Sequence, residues 1–151
     1  MSPAEALLDA AAIAALIPHA GRMCLLARCL SWDAQRIRCQ ADGHRDADHP
    51  LRSASGLLAP VAIEYAAQAM ALHGGLLARA EGGEARPGFL ASARQVELLR
   101  ERLDDLDGPL DVEAERQAGD ARQILYAFTV SHAGQPLVRG RAAVVLNTPL
   151  G

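Results

Sequence analysis

The chain has 151 residues, 50% of them hydrophobic, and a formal charge of -3. That is apolar material for one well-filled core, so a single domain over 1–151 is expected, and the interspersed acids and arginines form no basic stripe, which excludes nucleic acid as an expected partner. All 15 basic side chains are Arg, which removes Schiff-base and phosphate-loop lysine chemistry.

In chain order, Pro3 suits a first helical turn and the Ala/Leu-rich run ends near Pro18, which predicts a helix over residues 3–16. Glu5 and Asp9 interrupt this run and no positive charge precedes it, so it reads as amphipathic rather than as a secretory signal. The short stretches Met23 to Leu30 and Gln35 to Ala41, parted by Ser31, Trp32 and Asp33, predict two strands and a turn. Cys24, Cys29 and Cys39 are odd in number and form no CxxC pair. They read as small buried hydrophobes of a cytoplasmic protein.

From Gly43 to Ser55 the chain is polar and aperiodic, an irregular loop. It feeds a helix from Val61 to Arg79 that is apolar nearly all round and should be buried over most of its circumference. Pro60, Glu64, Gln68 and His73 make the stretch from Leu57 to Ala78 too polar for an ordinary membrane span. Glu81 to Pro87 is the helix exit. Four strands should follow, Phe89 to Leu99, Leu110 to Gln117, Gln123 to His132 and Leu137 to Leu146, with turns at Asp107-Gly108-Pro109, Gly119-Asp120 and Ala133-Gly134-Gln135. One antiparallel sheet curled around a single buried helix satisfies this order, an α+β hot-dog fold.

Glu64 and Gln68 share one face of the helix. A carboxyl group buried there without a partner would take up a proton and become a donor near neutral pH. The preceding loop supplies His44 and His49, either of which could reach the helix start, and an imidazole beside a protonated carboxyl makes a general base and acid. The bland alternatives are a solvent-exposed loop histidine and a glutamate that pairs with Arg or reaches solvent at the helix start. His73 and His132 read as structural. The spacing from His44 to His49 fits no zinc motif, and neither Ser53 nor Ser55 lies in a nucleophile elbow, so no metal and no cofactor is expected.

His49-Pro50-Leu51-Arg52 followed by Ile63-Glu64-Tyr65-Ala66-Ala67-Gln68 resembles the 3-hydroxyacyl-[acyl-carrier-protein] dehydratases of the hot-dog superfamily, and more narrowly is similar to the dehydratase-like proteins of aryl polyene gene clusters. Ile17-Pro18-His19 with Met23 and Leu25-Leu26 looks like that family's opening. The resemblance implies that His49 takes the C2 proton, that Glu64 protonates the departing 3-hydroxyl, and that Gln68 supports Glu64 or the local backbone. His44 competes with His49 for the role of base. Where the family has a Pro-Gly turn this chain has Leu58-Ala59-Pro60. Pro60 has no N–H, so a thioester carbonyl would be held by Val61 or Ala62 at the helix start. The resemblance further implies an obligate homodimer whose two sites each take the imidazole from one subunit and the carboxyl from the other, and an acyl carrier protein as partner. An acidic carrier would need a positive landing site, for which Arg94, Arg100 and Arg102 are candidates, the bland alternative being a charged surface strand. Two other readings stay open: a non-catalytic hot-dog subunit that binds an acyl chain or partners an active second subunit, and a hot-dog thioesterase.

Overall fold

A computed structural model describes residues 7–17, 21–83 and 88–146. The helix predicted from Val61 is present as α2, Ala62–Ala80, introduced by one 3-10 turn at Ala59–Val61 in which Pro60 costs no bond. Ala62, Ala66, Ala69, Met70, Leu72 and Leu76 are buried along it, and the small alanines let a sheet approach closely. The helix ends where Gly82 turns left-handed (φ +78) and Gly83 N–H reaches back to the Ala78 carbonyl at 2.9 Å, a glycine stop. Residues 84–87, the rest of the predicted exit, lie outside the described residues.

One seven-stranded sheet packs against α2: β1 (Leu8–Asp9), β2 (Arg28–Trp32), β3 (Arg36–Ala41), β4 (Gly88–Leu98), β5 (Leu110–Gly119), β6 (Gln123–His132) and β7 (Gln135–Leu146). The spatial order is β1-β2-β3-β5-β6-β7-β4, and every pair is antiparallel. The helix crosses the sheet's face and delivers the chain to the far edge, where β4 pairs with β7. Residues align in rows across the strands: the buried Cys39, Val112, Val130 and Val138 form one row, and the buried Ile37, Ala114 and Phe128 with the half-buried Gly140 the next. A Cβ at Gly140 would stand 3.1 Å from the Phe128 ring, so the row needs its smallest member opposite its largest. This is the predicted hot-dog arrangement, a sheet wrapped around one helix.

Two boundaries differ from expectation. Residues 3–6 of the predicted first helix lie outside the described residues, and Leu8–Asp9 pairs with β2 as a short strand. Asp9 caps rather than interrupts: its carboxylate accepts from Ala12 N–H at 2.9 Å and starts α1, the five residues Ala10–Ala14. The strand predicted from Met23 begins only at Arg28, because the Met23 carbonyl and the Leu25 N–H are bonded to a side chain of α2 instead of a neighbouring strand.

Between β6 and β7, Ala133 (φ 49) and Gly134 (φ 83) both adopt left-handed backbone, the two-residue hairpin turn that favours Asn-Gly. Alanine is strained there. Ala133→Asn should stabilise the fold by about 0.5–1 kcal/mol, read as a higher thermal midpoint; an unchanged or lower midpoint would contradict the turn assignment.

Candidate functional site

The loop from Gly43 to Leu58 is built from successive backbone turns, with Asp46 N–H bonded to Gly43, His49 N–H to Asp46 and Arg52 N–H to His49 carbonyls at 3.0–3.1 Å. Its far end is pinned by the Asp104 carboxylate, whose side chain is 2% exposed and which pairs with Arg102 at 2.7 Å and Arg52 at 3.2 Å. The hydrogen bond from Arg102 holds that carboxyl well below the usual range. These anchors lay His49 over the start of α2.

His49 is 8% exposed. Its Nδ1 accepts from Leu51 N–H at 3.0 Å and its Nε2 meets the Tyr65 hydroxyl at 2.9 Å. Burial pushes the imidazole pKa down, partly opposed by Asp46, and burial pushes the Tyr65 phenol up. Near neutral pH both groups are uncharged. They face a cavity of about 360 Å³ also lined by Cys24, Leu25, Asp46 and Pro50, with Arg22 at its rim ion-paired to Asp48.

His44, the rival base, is 2% exposed and bonded through Nε2 to the Leu106 carbonyl at 2.7 Å. Its buried Nδ1 has no partner among the described residues, and His44 does not line the cavity that holds His49. Gln68 is fully buried, and its amide accepts from Leu25 N–H at 2.8 Å and donates to the Met23 carbonyl at 2.6 Å. It supports backbone, one of the two roles expected of it, and thereby holds the cavity wall that carries Cys24 and Leu25. Glu64 is half-buried in the first turn of α2. Its Cα sits about 100° around the helix from that of Tyr65, the residue that meets the His49 ring.

Val61 and Ala62 were expected to offer free N–H groups, and the structure corrects this. Val61 N–H is bonded to the Leu58 carbonyl at 3.0 Å, and Ala62 N–H is taken up within the 3-10 turn. Tyr65 was missed. Its signal was a hydroxyl-bearing aromatic beside Glu64 on an alanine-rich buried helix, where a phenol needs a bonding partner.

His73 is saturated, between the Tyr126 hydroxyl at 2.8 Å and the Asp33 carbonyl at 2.7 Å, and His132 meets the Asp107 carbonyl. Arg100 and Arg102 are tied to Asp105 and Asp104, whereas Arg94 is exposed on β4. Among the described residues no group of three or more His, Cys, Asp or Glu side chains converges as metal ligands would, and no helix is long and apolar enough to cross a membrane.

Residues 11–149 match the family model described as ApeP-like, ApeP dehydratase. The chain belongs to the ApeP-like dehydratase family. The dehydratase reading of the His49 and Glu64 motifs therefore holds at the level of the family. A solved chain of the dehydratase heterocomplex ApeI:P from Xenorhabdus doucetiae superposes with a TM-score of 0.81 at 23% identity, over 93% of this chain and 92% of that one. AziG of S. sahachiroi follows the same fold with a TM-score of 0.58 at 18% identity, over 89% of this chain and 99% of that one. So does a hypothetical thioesterase with coenzyme A from Streptococcus pneumoniae, with a TM-score of 0.56 at 9% identity over 82% and 88% of the two chains. No curated protein matches the chain.

Two outcomes test this geometry. Gln68→Leu removes both amide bonds and leaves the Leu25 N–H and Met23 carbonyl buried and unmet, so it should cost about 2–4 kcal/mol; denaturant titration giving less than about 1 kcal/mol would contradict the clamp. His49 and His73 both have pKa values lowered from 6.5 by burial. The unfolded chain therefore binds protons first, and stability should fall as pH drops below 6.5 and level off beneath the folded-state values. A thermal midpoint that rises over that interval would contradict buried neutral imidazoles.

Proposed function

We propose that the chain dehydrates 3-hydroxyacyl thioesters carried on acyl carrier protein to trans-2-enoyl thioesters, in cytoplasmic fatty-acid or polyene-type biosynthesis. His49 of one subunit and Glu64 of the other close on the acyl chain. The observation that carries this reading is that His49, rather than His44, sits with a burial-lowered pKa on the wall of the cavity at the start of α2. In the reaction the imidazole takes the C2 proton, the C–H electrons become the C2–C3 double bond, and the 3-hydroxyl leaves as water with a proton from Glu64. The thioester stays intact. The placement of Glu64 about 100° from Tyr65 favours a carboxyl that serves the neighbouring subunit's imidazole. For His49 to act as base it must exchange one of its two present bonds for a bare nitrogen, as catalytic bonds do when substrate binds. The exposed Arg94 offers the acidic carrier a positive contact.

A second reading is favoured by one observation: both nitrogens of His49 are engaged within the chain. A chain so arranged suits the partner subunit of an active second hot-dog protein, and the solved dehydratase chain it superposes on comes from a heterocomplex. Activity confined to a mixture of the two proteins would select this reading. Release of free thiol during turnover would select a thioesterase instead.

With 3-hydroxyacyl-carrier-protein substrates, His49→Ala and Glu64→Gln should each lower kcat/KM by about 10²- to 10⁴-fold. The acidic limb of the pH profile should fall through a midpoint below 6.5, because the base must be neutral and burial lowers its pKa. Turnover by Glu64→Gln equal to the parent's, alone and in the mixture, would overturn the catalytic assignment.

A further inference from the structure

Leu51 N–H can only donate, so the His49 Nδ1 that it reaches at 3.0 Å is an acceptor and bears no hydrogen. A neutral imidazole then carries its hydrogen on Nε2, and the 2.9 Å contact runs from Nε2–H to the phenolic oxygen of Tyr65. Tyr65 therefore spends a lone pair on His49 and keeps its own hydrogen. Among the described residues no acceptor takes that hydrogen. Tyr65 is 1% exposed, yet it lines the cavity with His49, and a buried donor left unmet is costly. The backbone N–H groups at the helix start cannot do this work, since Val61 and Ala62 are already bonded.

We infer that the Tyr65 hydroxyl is the donor that receives an oxygen of the ligand, at the end of a one-way relay that runs from Leu51 N–H through the His49 ring to Tyr65. Each bond in such a chain polarises the next, so His49 strengthens the phenol as a donor while keeping its proton. The ligand needs an acceptor oxygen that reaches past Cys24 and Leu25 into a cavity of about 360 Å³. A thioester carbonyl supplies it, and that identity rests on the acyl-thioester reading above. The relay describes the state that admits the ligand, so it applies whether this chain or a second subunit performs the elimination.

The test is calorimetric titration of the protein in its native assembly with a 3-hydroxyacyl amide of the amine analogue of pantetheine, which keeps the carbonyl and does not react, and with a reduced compound, the 3-hydroxyalkyl thioether of pantetheine, which lacks the carbonyl and stays uncharged. Tyr65→Phe should bind the amide about tenfold more weakly than the parent and the reduced compound equally well. Imidazole 15N shifts of the parent should place the hydrogen of His49 on Nε2. Unchanged affinity of Tyr65→Phe for the amide, equal weakening for both compounds, no binding by the parent, or a hydrogen on Nδ1 would each overturn the relay. Loss of amide affinity in Tyr65→Phe together with an absence of any dehydration would instead sink the acyl-dehydration reading and leave the donor role standing.

Discussion

A helix buried on nearly all sides can hold polar side chains only if something bonds each of them, and in this protein that requirement shapes the surroundings of α2. Gln68 draws in the segment at Met23 to Leu25. His73 ties the β2–β3 turn at Asp33 to Tyr126 of β6. Tyr65 takes the His49 ring and with it the loop that precedes the helix. Each bond replaces water that the helix cannot reach, and losing one would leave two groups unmet rather than one. The same three side chains thus hold the helix in register and build the cavity.

The cavity follows from two of those bonds acting together. Gln68 holds Cys24 and Leu25 on one wall, Tyr65 holds His49 on the other, and the anchor at Asp104 fixes the loop that carries His49. Burial lowers the imidazole pKa and raises that of the phenol, so His49 and Tyr65 meet a ligand uncharged, beside the charged Asp46 and Arg22 of the same lining. Sequestered neutral donors act more strongly than the same groups in water.

Much of the fold was legible in the sequence, because the signals were periodic or compositional. β6 matches its predicted span, alternation and all, and α2 starts within one residue of the expected position because alanine, leucine and Pro60 mark it clearly. What failed was local. Met23 to Ala27 reads as strand by composition, yet a side chain from α2 takes the Met23 carbonyl and the Leu25 N–H, and no periodicity records that exchange. Asp9 looked like an interruption and is a cap. At the site, the short motifs led to His49, Glu64 and Gln68, while Tyr65 stood in the same motif without a role. Pairing of side chains from segments 16 residues apart, as in His49 with Tyr65, depends on the loop's turns, which spacing alone does not encode.

The central claim is that the acyl ligand lies between the His49 loop of one subunit and the Glu64 face of the next. The direct measurement is a crystal structure of the assembled protein with a bound 3-hydroxyacyl ligand. The account predicts the ligand's carbonyl oxygen at the Tyr65 hydroxyl and its 3-hydroxyl within about 3 Å of a carboxyl from the adjoining subunit. A ligand seated elsewhere, or a Glu64 carboxyl turned to bulk water in the assembly, would contradict it.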